Sequence, residues 1–209
     1  MCDYGNSAEI LSQINKLQSE MADWFDKFGE ITEEQYKLLM ELAAQYNNAI
    51  IAEGCLTIDD YVTNGIITTD FEEKQDAVGK YQVNFHNGID VVGGNLKSPF
   101  FLIATNGKEK GSNDKYFSVI GTNLKMLVKH GDKGSLRKSG DFYKPGDVIM
   151  PFPKNNNYTT ASTAPHFHIE LTNGKNFINP FTLKTSEINF KRTLDGGKTW
   201  KSIDPNYYY

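Results

Sequence analysis

Apolar residues in the first part of the chain recur every three or four positions, which predicts an amphipathic helix over residues 7–28. Asn6 with Glu9 predicts a capping box at its start, and Gly29 predicts its end. The apolar positions of this helix are Ile10, Ile14, Leu17, Met21, Trp24 and Phe28.

A second helical pattern follows directly. Thr32 with Gln35 predicts another capping box, and the pattern runs as far as Gly54. Its apolar positions are Leu39, Leu42, Tyr46, Ala49 and Ile50. Two helices of similar length joined by a short connection predict a helical hairpin. We expect its apolar faces to pack against each other, the rest of the chain, a partner or another copy.

From residue 81 the apolar residues alternate with polar ones, a period typical of strands. Apolar runs flank residues 121–123 and predict a hairpin there, and Asn173-Gly174 predicts a tight hairpin turn. Residues 55–80 show neither period and are interpreted as an irregular connector. Helices followed by strands predict the α+β class with a mainly antiparallel sheet. The predicted units are a helical hairpin (1–54), a connector (55–80), a β domain (81–185) and a tail (186–209).

The tail contains a motif similar to the Asp box, Ser/Thr-x-Asp-x-Gly-x-Thr-Trp. The matching positions are Thr193, Asp195, Gly197, Thr199 and Trp200. Propellers built on this motif need several copies, and the chain contains one. The motif therefore predicts a single β-hairpin.

The composition excludes several classes of function. The 209 residues carry a net charge of −4 and no basic block, so nucleic acid is not an expected partner. No apolar run reaches the length of a membrane span. The first residues lack the basic start and apolar core of a signal peptide. Cys2 and Cys55 allow one disulfide but no disulfide framework.

The chain contains four His, and three of them lie in two strand-like segments. Alternation from His166 to Leu171 places His166 and His168 on one face of a strand. Upstream, His86 and Asp90 are four residues apart. Imidazole and carboxylate are both common zinc ligands, so the two segments predict a metal site. The fourth, His130, ends an apolar run.

Over residues 81–183 these motifs resemble the M23 peptidases, the lysostaphin- and LytM-like zinc endopeptidases. The family's His-x3-Asp corresponds to His86 and Asp90, and its His-x-His to His166 and His168. The glycine-containing turn and strand that precede the family's His-x-His correspond to residues 144–149. The Asn-Pro that follows the His-x-His corresponds to Asn179-Pro180. The resemblance implies a LytM-like β domain that binds Zn²⁺.

The resemblance also implies a role for each residue. His86, Asp90 and His168 would be the zinc ligands, and His166 and His130 the catalytic residues. His130 could instead correspond to a less regular His that the family carries in this region. We prefer the catalytic assignment, because the number of residues between His130 and Gly146 fits the position of the family's catalytic His. Either His could take the proton from water while the other hydrogen-bonds the oxyanion.

The implied function is hydrolysis of peptide cross-links or stem peptides of peptidoglycan, outside the cell or at its envelope. Export would then depend on a phage particle, a secretion system or a longer precursor. The alternative is a non-catalytic M23-like module that binds cell wall or a partner protein. Such relatives commonly lack one or more of these five residues, whereas this chain has the expected residue at all five positions. Residues 150–158 lack the glycines usual in the family's substrate loop, so cross-link preference does not carry over.

Overall fold

The computed structural model describes residues 5–75, 82–105, 115–131, 138–153 and 164–206. It begins with two long helices, α1 (Gly5–Phe28) and α2 (Glu33–Glu53), which pack against each other as the predicted hairpin. The buried side of α1 consists of Ser7, Ile10, Ile14, Leu17 and Met21. No helix in the described ranges is long and apolar enough to cross a membrane.

Three of the four predicted ends of α1 and α2 are confirmed. Thr32 and Gln35 form the capping box of α2, and Gly54 ends that helix with a left-handed φ of 60°. Gly29, with φ of 77°, follows α1. The predicted capping box of Asn6 is wrong, because α1 already includes Gly5 and Asn6 therefore lies inside the helix. The neighbouring Ser7 instead binds Glu53 through its N–H and its hydroxyl.

The connector is more regular than predicted. It contains a short helix, α3 (Ile58–Tyr61), and a strand, β1 (Ile66–Thr69). β1 pairs with a later strand at the edge of the main sheet, so tertiary pairing orders a segment whose own pattern is weak. Cys55, just before α3, is disulfide-bonded. Cys2 lies outside the described residues.

The strands that follow are short and antiparallel. They are β2 (Gln82–Val83), β3 (Ile89–Val92), β4 (Leu96–Lys97), β5 (Leu102–Thr105), β6 (Lys115–Val119), β7 (Lys125–Lys129), β8 (Phe142–Tyr143), β9 (Val148–Met150), β10 (Phe167–Thr172), β11 (Phe177–Ile178), β12 (Lys191–Thr193) and β13 (Lys201–Ser202). The predicted hairpins are β6–β7 and β10–β11. The architecture confirms the α+β prediction.

One sheet dominates the β domain. Within the described ranges it has eight strands in the order β1-β3-β10-β7-β6-β5-β8, and β11 pairs with β10. β10 lies between β3 and β7, and every residue of β10 is buried. The sheet therefore brings three segments that are distant in sequence, residues 86–92, 125–130 and 166–172, side by side.

The helical hairpin is joined to this sheet through a buried amide. Asn47 of α2 receives the N–H of Phe101 and donates to the carbonyl groups of Phe101 and Ile120. Gly121, in the β6–β7 turn, lies so close to α2 that an added Cβ would be 2.2 Å from the Cβ of Ala44. The hairpin thus packs directly on the β domain.

The tail forms the predicted single hairpin, β12–β13. The Asp195 carboxylate accepts hydrogen bonds from the hydroxyl groups of Thr193 and Thr199 and from the Thr199 N–H. β12 also pairs with β2, so the tail completes a three-stranded sheet with the segment that leads to His86.

Candidate metal and catalytic site

Three neighbouring strands position the candidate site. Asp90 on β3 and His168 on β10 are direct cross-strand partners, and Lys129, the last residue of β7, lies opposite His168 on the other side. His86 precedes β3, His130 follows β7, and His166 precedes β10. The five residues predicted from the sequence therefore meet at one place on the sheet.

Three of these residues aim ligand atoms at one point. His168 Nδ1 lies 2.8 Å from Asp90 Oδ1 and 3.0 Å from His86 Nε2, and His86 Nε2 lies 3.2 Å from Asp90 Oδ1. Zinc bonds of about 2.0–2.1 Å in a tetrahedron separate neighbouring ligand atoms by about 3.3 Å. Two imidazole nitrogens and one carboxylate oxygen at this spacing fit a zinc ion with a position left for water or substrate.

The outward nitrogens of both imidazoles are held by acceptors. His86 Nδ1 donates to the carbonyl of Asp70 at 3.1 Å, which leaves Nε2 to face the cluster. His168 Nε2 lies 2.8 Å from the Glu170 carboxylate, which leaves Nδ1 to face the cluster. Such outer partners fix the tautomer and orientation of metal-binding His. Both residues are buried, with exposures of 6% and 7%.

The charges around the cluster favour a cation. Burial alone would raise the pKa of Asp90, but hydrogen bonds with His168 and His86 hold it well below its usual value. Burial also opposes the charge on His168, and hydrogen bonds with Asp90 and Glu170 nevertheless raise its pKa to about 8. A metal ion would take the place of the Nδ1 proton.

His130 and His166 stand beside this cluster. Their ring centroids are 4.8 Å apart, and His166 Nε2 lies 3.5 Å from Asp90 Oδ1. His166 Nδ1 is 2.9 Å from the Ala164 carbonyl, which can only accept, so Nδ1 carries a proton and Nε2 faces the cluster. The sequence pattern predicted that His166 lies on the strand, but His166 lies one residue before β10.

His130 has an unusual backbone. Its φ is +65°, a left-handed conformation that ends β7 and that few residues other than Gly adopt. Burial, together with the neighbouring His168 and His166, lowers the pKa of its ring to about 4. The ring is therefore neutral at pH 7.

The sequence patterns did not identify three residues that support the ligands. Glu170 lies two residues after His168, so the same alternation that paired His166 with His168 could have indicated it. Lys129 contacts Glu170 only because β7 pairs with β10, and Asp70 contributes a backbone carbonyl. Local patterns carry no signal for such long-range contacts. Of the atypical loop at 150–158, residues 154–158 lie outside the described ranges.

Comparisons with known proteins give similarity in structure only. No protein-family model matches the sequence, and no curated protein matches it. The catalytic domain of lysostaphin from Staphylococcus simulans is 20% identical, with a TM-score of 0.41, over 58% of this chain and 89% of that one. A zinc-containing peptidase from Vibrio cholerae is 24% identical, with a TM-score of 0.41, over 53% of this chain.

The match covers 35% of the Vibrio cholerae chain, so this protein spans about a third of that relative's length. A putative glycyl-glycine endopeptidase LytM from Ruminococcus gnavus is 13% identical, with a TM-score of 0.31, over 84% of this chain and 70% of that one. The three structures that the chain is similar to are thus of the zinc-peptidase, lysostaphin and LytM kinds that the resemblance of the motifs also names. Since every TM-score is below 0.5, the functional argument rests on the side chains of the site.

Proposed function

We propose that the protein is a zinc-dependent endopeptidase that hydrolyses peptide bonds of bacterial peptidoglycan, in its cross-links or stem peptides. The observation that carries this proposal is the convergence of His86 Nε2, Asp90 Oδ1 and His168 Nδ1 within 3.2 Å of one another. Two further His stand beside them. A structural ion pair needs neither three metal-type ligand atoms nor two additional imidazoles.

His86, Asp90 and His168 would hold the metal. Bound zinc supplies a Lewis acid that polarises the scissile carbonyl and lowers the pKa of water toward neutrality. Three protein ligands leave a coordination position open, which distinguishes a catalytic zinc site from a structural one.

His166 is suited to accept the proton of the attacking water. Its Nδ1–H donates to Ala164, so Nε2 is the nitrogen that faces the Asp90 side of the site and, in the neutral ring, offers its lone pair there. The neutral ring of His130, 4.8 Å away between centroids, then donates a hydrogen bond to the oxyanion of the tetrahedral intermediate. The proton held by His166 passes to the leaving amine. This assignment separates two roles that the sequence left interchangeable.

The substrate class rests on the resemblance of the motifs to the lysostaphin- and LytM-like peptidases. Action outside the cell or at the envelope follows from that substrate. The disulfide at Cys55 supports it, because disulfides persist mainly in oxidising compartments.

The proposal is tested by zinc content and by hydrolysis of purified peptidoglycan of several cross-link types. We expect about one zinc per chain and release of peptides that a chelator abolishes. His168→Ala is the control and should lose both zinc and activity. Zinc binding without cleavage of any wall type would contradict the enzyme and favour a non-catalytic wall-binding module. Absence of zinc binding would contradict the site itself.

A further inference from the structure

We propose that Glu170, paired with Lys129, is a positioning residue that holds His168 in the orientation that binds metal. The inference deepens the proposed function and rests on it. Glu170 does not reach the reacting atoms. It acts on the ring of His168, whose opposite nitrogen belongs to the ligand cluster.

The geometry places Glu170 directly behind the ligand. Residues 168 and 170 lie on the same face of β10, and Glu170 Oε1 is 2.8 Å from His168 Nε2. Asp90 Oδ1 lies 2.8 Å from the other nitrogen, Nδ1. The imidazole is therefore hydrogen-bonded through both of its nitrogens, and a ring flip would break both hydrogen bonds.

Lys129 explains how a carboxylate can remain charged in this position. Glu170 is 3% exposed, and an unpaired charge there would be costly. The Lys129 ammonium and the ring of His168 both bind this carboxylate and compensate for its burial. The same carboxylate oxygen, Oε1, binds both partners, so Lys129 and His168 are linked through one atom.

The cross-strand register provides this arrangement. Lys129 lies opposite His168, while Glu170 lies opposite Leu127. The lysine side chain thus extends diagonally along the sheet to the carboxylate, and the pair closes the side of His168 that faces away from Asp90. A carboxylate–imidazole–metal arrangement of this kind typically contributes 10- to 100-fold to metal affinity.

A purely structural ion pair is the competing explanation, and a double substitution separates the two. Removal of one member of a buried pair destabilises the fold, whereas replacement of both by apolar residues of similar size is often neutral. The variant Lys129→Met/Glu170→Met should therefore remain folded while it lacks the acceptor for His168 Nε2–H. Glu170→Gln keeps an acceptor oxygen at the same place without the charge. Glu53→Gln, which alters a carboxylate at the end of α2 that binds Ser7, is the matched control.

The measurements are the zinc dissociation constant by competition with a chromophoric chelator and the ring N–H signal of His168 in the zinc-loaded protein by ¹⁵N NMR. We expect zinc affinity to fall about 10- to 100-fold in the double variant. The downfield, slowly exchanging Nε2–H signal should disappear. Glu170→Gln should lie between this variant and the wild type, and Glu53→Gln should match the wild type in both measurements.

Wild-type zinc affinity and an unchanged Nε2–H signal in the folded double variant would overturn the inference. If the double variant does not fold, the test rests on Glu170→Gln. A zinc affinity of Glu170→Gln equal to that of the wild type would then overturn the inference. If the wild type itself does not bind zinc, the proposed function fails instead. Neither readout depends on peptide hydrolysis, so the two failures are distinguishable.

Discussion

Asn47 binds Phe101 in both directions: its side-chain oxygen accepts the Phe101 N–H at 2.9 Å, and its amide nitrogen donates to the Phe101 carbonyl at 2.9 Å. The two hydrogen bonds are those that the backbone of a neighbouring strand would form with Phe101, but here a side chain of α2 forms them. A third hydrogen bond, to the Ile120 carbonyl at 3.0 Å, joins the same amide to the β6–β7 turn. Asn47 therefore joins the helical hairpin to two segments of the β domain.

Asn47→Ala should destabilise the protein by about 2–4 kcal/mol, because it leaves buried backbone groups without their partner. Urea unfolding measures the free energy of unfolding. Asn48→Ala is the matched control: Asn48 is exposed and its hydrogen bond to the Gly121 carbonyl is long, at 3.5 Å, so its substitution should cost less than about 0.5 kcal/mol. Equal effects for the two variants would mean that the amide does not join the hairpin to the sheet.

Gly121→Ala should be more damaging than Gly140→Ala. Both positions have left-handed φ, +72° and +95°, so both substitutions strain the backbone by about 1–2 kcal/mol. Only at Gly121 would the new methyl group collide, 2.2 Å from the Cβ of Ala44, whereas nothing lies within 4 Å at Gly140. Comparison of the two unfolding free energies isolates the packing of the β6–β7 turn on α2. Similar losses would argue against that close approach.

Zinc should raise the melting temperature. At a free concentration 1,000 times the dissociation constant, binding stabilises by about 4 kcal/mol, which is roughly 10 °C for a chain of this size. Asp90→Asn preserves the shape of the side chain but removes the anionic ligand oxygen, so its thermal shift should be greatly reduced. An undiminished shift in Asp90→Asn, measured by calorimetry, would show that the ion binds elsewhere.

His130→Asn should keep zinc and fold but lose activity by about 10²- to 10³-fold, because it removes the proposed hydrogen-bond donor to the oxyanion. Asn is chosen because it tolerates the left-handed backbone that His130 adopts, so the substitution removes the ring without new strain. Zinc content and circular dichroism provide the controls. Retained activity would show that His130 is not catalytic, and lost zinc would show that it acts as a ligand.

The disulfide can be checked without any assay of function. Thiol titration of the denatured, unreduced protein should detect no free thiol, and reduction should release two, the number of Cys in the chain. Loss of the bond should lower stability by about 2–4 kcal/mol. Two free thiols before reduction would remove the support that the bond gives to an exported location.

Local sequence signals predicted the parts of the fold that depend on neighbours in the chain. The capping box of Thr32 and Gln35 and the end of α2 at Gly54 are interactions within four residues, and both are confirmed. The Asp195 hairpin is predictable for the same reason. β1 was not predicted, because Ile66 and Ile67 owe their strand conformation to pairing with β3.

At the candidate site, residue type and spacing indicated the metal-type ligands, but not their supports. His86 and Asp90, or His166 and His168, are close in sequence, and that spacing indicated a shared site, although His86 and His166 lie just before β3 and β10. The acceptor for His86 is a backbone carbonyl, at Asp70, and any residue type provides one. The left-handed backbone of His130 likewise has no local signature, because no Gly or Asn marks it.

The pairing of the tail with β2 bears on how the protein should be dissected. Asn84, two residues before His86, receives the Lys191 N–H, donates its own N–H to the Lys191 carbonyl, and binds the Asn189 carbonyl through its side chain. A fragment cut near residue 185, the end suggested by the catalytic motifs alone, would keep every candidate ligand yet remove these contacts with the segment that carries the first of them. The smallest useful expression fragment should therefore extend through β13, past residue 202.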